Sequence, residues 1–325
     1  MSVAKIDTDA LQAEALFSEK PEHILVTYWN RLKRHRLAMA SLYLLGFIIL
    51  AVIIGPIIMG NMTYYNVQQG QEVPYARDTQ DLPNANAGPS WEHPLGTDDL
   101  GRDTLIRLLI AGRLSLTISF TVVFIAETLG IFLGAVSGYF AGWVDSFIQR
   151  LAEFIIILPT LPLLLTLASL LRDRNIPWLP PEWSQAFIII VILSFLTWTT
   201  SCRLSRAMVL SLRNQEFAEA SRALGMSDFA IIFRHMMPNA LPPVIVNATL
   251  SLSGVILLES ALSFLGFGIN PPVATWGNML QDAQSKMHQD ATIALYPGLF
   301  IFLTSLAFNY LGDGLRDALD PRLKL

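Results

Sequence analysis

Six apolar stretches run through this chain, at residues 37–59, 114–140, 151–171, 186–204, 240–265 and 293–311. Each is about 20 residues or longer, enough for a helix rising about 1.5 Å per residue to cross roughly 30 Å of hydrocarbon. A soluble chain of 325 residues would be read as two domains. With 53% apolar and 15% charged residues and a mean hydropathy of +0.47, that reading fails and membrane-protein composition takes its place. The expected fold is all-α and polytopic, with six transmembrane helices. A lone Cys202 allows no intrachain disulfide and no cysteine-built zinc site. A net charge of -4 offers no basic nucleic-acid surface.

The basic cluster Arg31, Lys33, Arg34, His35 and Arg36 abuts the first stretch, which is too long for a signal-peptide core and is expected to remain as an uncleaved helix. Six spans put both termini on one side, and that side collects 15 of the 22 Lys and Arg residues. The positive-inside asymmetry therefore predicts cytoplasmic termini. Segment 60–90, with Pro74, Pro83 and Pro89, has no sustained period and reads as an external loop.

Loop 214–238, NQEFAEASRALGMSDFAIIFRHMMP, lies between the fourth and fifth spans. Residues 215–224 are helix formers, Gly225 stands where a left-handed C-terminal residue belongs, and Ser227 is placed to cap a second short helix that Pro238 would end. Ala218, Ala220, Ser221 and Ala223 are small enough to let a partner approach the backbone. A DNA-reading helix-turn-helix is the competing reading of ALGMSD. Tethering between two spans, and a second helix dominated by Phe229, Ile231, Ile232 and Phe233, exclude it.

The run Glu219, Ala220, Ser221, then Gly225 and, thirteen residues on, Pro238, resembles the E-A-A-x3-G-x9-I-x-L-P signature of bacterial ATP-binding-cassette importer permeases. Ser221, His235 and Met237 depart from it. Residues 93–113, HPLGTDDLGRDTLIRLLIAGR, residues 262–280, LSFLGFGINPPVATWGNML, and the tail GDGLRDALDPR are similar to the C-type permease subunit of the oligopeptide, dipeptide and nickel import branch. The resemblance implies a type I importer core over 114–311 with coupling loop 214–238. Around that core lie a cytoplasmic segment 1–36, a first helix 37–59, an external loop 60–113 and a cytoplasmic tail 312–325. It implies a B-type permease, two ATP-binding subunits, an external substrate-binding protein and the bilayer of the bacterial or archaeal cytoplasmic membrane as partners. It assigns contact with the ATPases to Glu219, Ala220, Ser221, Gly225, Met226, Ser227, Asp228 and Pro238, and the cargo to peptides. This chain contains no G-x-x-x-x-G-K-[ST] phosphate cradle, so ATP and magnesium are expected in partner subunits and no catalytic residue or cofactor here.

In GTDDLGRD, the external family motif, Gly96 and Gly101 suggest tight turns, with Thr97 between them. Asp98, Asp99 and Asp103 are better matched to pairing with Arg102 than to a metal, for which no convergent spacing exists. Within the spans, Glu127 and Glu259 are costly enough to demand a role in a pore or between helices. Glu153 follows Arg150 by three residues and is expected to pair with it. An intramembrane acid–base protein or proton-coupled carrier using Glu127 and Glu259 is the alternative from another class; it would have no need of the loop signature. Pro159 and Pro162 should bend the third span, and Gly130, Gly134 and Gly138 form a stripe for close helix packing.

Overall fold

The computed structural model describes residues 24–320 except 77, 173, 175, 271–272, 286 and 288–290. Most of the expected segment 1–36 and the last five residues of the tail 312–325 lie outside the described residues. Five helices are long and apolar enough to cross a bilayer: α2 (Arg36–Gly60), α3 (Thr104–Phe140), α6 (Pro181–Leu212), α8 (Asp228–Phe264) and α10 (Thr292–Leu319). A short basic helix, α1 (Ile24–Arg34), precedes α2 and packs on the end of α10, where Arg31 donates to the Asp320 carbonyl at 3.0 Å.

The third span differs from a kinked helix. It is two helices, α4 (Gly142–Ile157) and α5 (Thr160–Leu171), bent by 89° at Leu158 and Pro159. Pro159 is the residue that ends one helix and starts the next, and Pro162 falls in the first turn of α5, where its missing N–H costs nothing. Arg150 and Glu153 form no ion pair; both lie on the exposed face of α4, where two solvated side chains gain little from pairing.

The helices also outrun the apolar stretches, because their caps lie in polar flanks. Helix α3 begins ten residues before its apolar run, with Asp103 accepting from the Ile106 amide at 2.9 Å. Helix α8 begins at Asp228 inside the loop and continues through Pro238, which was expected to terminate it. The reason is a π turn over Ile231–Met236, whose wider turn has the Met237 amide donating to the Ile232 carbonyl and admits the proline just after it.

Close packing of α3 on α6 follows the glycine stripe: a side chain at Gly134 would meet the Cys202 carbonyl, and one at Gly138 the Arg206 carbonyl. Leu108, Ile118, Leu193, Ile256, Leu262 and Trp276 are fully buried at the centre. Trp276 opens α9 (Trp276–Gln284), whose start is fixed by a reciprocal cap between Thr275 and Asn278. Its indole donates to the Leu108 carbonyl at 3.0 Å and lies over Gly112.

The segment between α2 and α3 is folded rather than irregular. Strands β1 (Thr63–Asn66) and β2 (Gln71–Pro74) pair antiparallel with Thr63 opposite Pro74, and a 3-10 turn follows at Leu82–Asn84. Buried Asp81 holds this unit together by accepting from the Val67 and Gln68 amides and from Asn84. Four-residue strands are too short to print a period-two pattern on the sequence.

Candidate functional site

Helix α7 (Glu216–Ala223) crosses the gap between α6 and α8. It ends in a Schellman turn: the Met226 amide donates to the Ser221 carbonyl at 3.2 Å and the Gly225 amide to the Arg222 carbonyl at 3.0 Å. Gly225 has φ +76°, the left-handed region, and open space where a side chain would go. Only backbone conformation demands glycine there.

The four small residues do not share one outward face. Ala218 and Ser221 are buried, Ala218 against Ile231, Ile232 and Met236 of α8, while Glu219, Ala220 and Ala223 are exposed beside Leu224, 82% exposed. Half of the expected partner surface thus joins α7 to α8 instead, because an eight-residue helix needs an apolar side of its own to stay folded. Ser227 occupies the N-cap position but makes no side-chain cap bond. The tie at that end comes from Tyr139 at the end of α3, whose hydroxyl donates to Asp228 at 2.7 Å. Phe132 of α3 stacks on Phe233, and Phe233 on exposed Phe229, so aromatic contacts run from α3 to the loop. Pro238 is exposed one helical turn further on.

On the opposite side of the molecule, Gly96 and Gly101 have φ +77° and +70°. Thr97 accepts from the Ala87 amide at 2.9 Å and donates to the Asn84 carbonyl. Asp98 accepts from the Leu100 and Arg102 amides and pairs with Arg102 Nε at 2.7 Å and Arg107 Nε at 3.4 Å. Asp103 caps α3 with one oxygen and lies 2.9 Å from His93 Nδ1 with the other. His93 is buried against Tyr64 and Tyr75. Burial pushes the Tyr75 phenol up to about 12, so it stays a neutral donor, to the Glu92 carbonyl.

Glu127, 8% exposed, receives Ser201 Oγ of α6 at 2.6 Å and Asn247 Nδ2 of α8 at 3.0 Å, with Ser251 at 3.4 Å. Glu259 is fully buried and receives Ser263 Oγ at 2.9 Å and Ser115 Oγ of α3 at 3.2 Å; Ser115 in turn accepts the Trp276 amide. Each acid therefore joins α3 to α8, at different depths and through separate partners, as an inter-helix contact.

Residues 130–325, which hold the stripe, the broken span and the loop, match the family described as binding-protein-dependent transport system inner membrane component. The chain belongs to that family. Residues 25–89 match the N-terminal TM domain of oligopeptide transport permease C. A putative peptide permease protein of Brucella suis is 37% identical over 298 residues, covering 91% of this chain and 90% of the relative. The oligopeptide transport system permease protein of Haemophilus influenzae is 36% identical, covering 90% and 87%. The glutathione transport system permease protein of Escherichia coli is 35% identical, covering 91% and 90%. This permease is thus a multi-pass inner-membrane component of a transport system, with the nearly all-α fold its sequence implied.

Two site features were not read from the sequence. The Tyr139–Asp228 bond joins residues 89 apart, and nothing local to Tyr139 marks it. Asp145, in the first turn of α4, makes a bidentate pair with Arg206 of α6 at 2.5 and 2.6 Å. A carboxylate just after the Ala141–Gly142 turn, where both residues have positive φ, was the available signal.

Proposed function

We propose that this chain is the permease subunit of an ATP-driven importer that forms, with a second permease of the B type, a path for peptides across the cytoplasmic membrane. Peptide cargo is supported by the names of relatives that match nine-tenths of the chain. In this reading both termini are cytoplasmic, supported by the Lys and Arg asymmetry, and the external segment 60–113 receives a substrate-binding protein. Two ATPase subunits, which bring ATP and magnesium, dock on α7 and the turn after it through Glu219, Ala220, Gly225, Met226 and Ser227. Ser221 is buried where α7 meets the start of α8, Asp228 ties that start to Tyr139 of α3, and Pro238 follows the π turn on the exposed side. Glu127 and Glu259 keep α3 and α8 together while the helices move. The external motif, Gly96, Thr97, Asp98, Gly101, Arg102 and Asp103, keeps the mouth of α3 in shape.

The observation that carries this reading is the packing of half-exposed α7 on the first turns of α8, with Ala218 against Ile231 and Ile232. A push on the exposed side of α7 then reaches a spanning helix without passing through flexible chain. ATP enters the cycle through the different contacts that open and closed ATPases make with α7.

Reconstitution of the complete importer tests this. Glu219→Lys reverses a charge on the exposed side of α7 and is expected to abolish stimulation of ATP hydrolysis by the loaded binding protein, with peptide uptake falling in parallel. Wild-type stimulation and uptake in that variant would remove the coupling role from the loop.

A further inference from the structure

The elbow of the broken span borders an open cavity of about 320 Å³, at the low end of the range for small-ligand sites. Its walls come from the end of α4, the start of α5, and facing turns of α6 and α8, and none of the residues lining it is charged. Three hydroxyls on these walls, Thr160, Thr199 and Thr200, have no hydrogen-bond partner among the described residues. Six other threonines in the spanning helices are satisfied within their own helix. Thr117, Thr121, Thr128, Thr166, Thr197 and Thr249 each donate to the carbonyl four residues back, the ordinary way for a threonine in a spanning helix to satisfy itself. Thr199 is 4% exposed, whereas Thr160 and Thr200 are exposed where they line the cavity. A hydroxyl with no partner inside the protein is free to bond a group that enters the cavity. Break-related backbone adds to this: α4 ends at Ile157, and Pro159 has no N–H to offer the carbonyls of the last turn.

A hydroxyl both donates and accepts, so this wall can meet either an amide N–H or a carbonyl. With no counter-ion present, a charged group gains little there. Apolar Leu196 and Leu258 flank the hydroxyls. The groups that fit are neutral secondary amides, which every peptide carries whatever its side chains. We infer that the elbow cavity is a binding site for peptide main chain in transit, with Thr160, Thr199 and Thr200 as its hydrogen-bonding groups. Ser251, on the wall, donates to Glu127 at 3.4 Å, so the cavity borders the Glu127 cluster. This inference rests on the reading of the chain as a peptide permease.

Proteoliposomes containing the complete importer and its binding protein, with radiolabelled tri-alanine as probe, test it. The paired change Thr199→Val and Thr200→Val keeps side-chain shape, and removes two hydrogen bonds; uptake is expected to fall about tenfold. Thr199→Ser with Thr200→Ser keeps both hydroxyls and should stay within about twofold of wild type. Gly254 lines the cavity with open space at its Cβ, so Gly254→Leu should assemble and block uptake by more than about tenfold. Gly46→Leu makes the same change at an equally open position in α2 and should transport normally. Uptake within twofold of wild type in the valine pair overturns the inference. So does failure of Gly254→Leu, but not Gly46→Leu, to copurify with the partner permease, because the cavity would then be a packing interface. A wild-type importer that takes up no tri-alanine would instead remove the peptide reading itself, and the ligand assigned to the cavity with it.

Discussion

The segment between α2 and α3 turns its polar groups inward, whereas the loop between α6 and α8 turns them out. In the first, Asp81, Asp98 and Asp103 are each used within the chain, by backbone amides, Arg102, Arg107 and His93. In the second, Glu216 and Glu219 are exposed, Asp228 is exposed though tied to Tyr139, and a large apolar side chain, Leu224, stands in the open at the tip. The same backbone device, a glycine in the left-handed region, occurs in both. Around Gly101 it is enclosed, with the Asp81 backbone where a Cβ would lie; around Gly225 it is open. One region closes on itself, and the other leaves polar and apolar side chains open.

Alanine at each glycine is the sharpest way to break this contrast. Gly101→Ala should cost about 2–5 kcal/mol, strain plus a backbone collision, and lower the yield and melting temperature of the folded protein in detergent. Asp103→Ala should come next, at about 2–3 kcal/mol, since it removes the cap of α3 and leaves His93 buried without its partner; the same melting measurement reads it. Gly225→Ala should cost only about 1–2 kcal/mol, strain alone, so the fold survives while uptake by the reconstituted importer falls. Equal melting temperatures for the two glycine variants would erase the distinction drawn here. The smallest effect belongs to Tyr139→Phe, which removes a single hydrogen bond worth about 1 kcal/mol and should slow uptake a few-fold with little change in melting.

Much of the architecture is legible in the sequence because hydrocarbon thickness sets the length of an apolar run. Helix ends are less so: Asp103 and Asp228 begin helices in polar flanks, which an apolar-run criterion cannot see. Pro159 announces a bend, but its size of 89° depends on how α6 and α8 close around the elbow. The hairpin at Thr63–Pro74 escapes because buried Asp81, and not apolar alternation, fixes it. In the loop, Gly225 is readable since few residues tolerate its conformation. The division of Ala218 and Ser221 from Ala220 and Ala223 is not, because it depends on which side of α7 meets Ile231 and Ile232.

Helix α8 is one rod of 37 residues, about 55 Å from Asp228 to Phe264, nearly twice the hydrocarbon thickness. In the proposed cycle a rod of that length acts as a lever. Tilting it by about 10° around its middle swings the two ends about 5 Å in opposite directions. The fulcrum of that proposed lever is the Asn247–Ser251 turn, bonded to Glu127, and the π turn near the Asp228 end is where it has the most give.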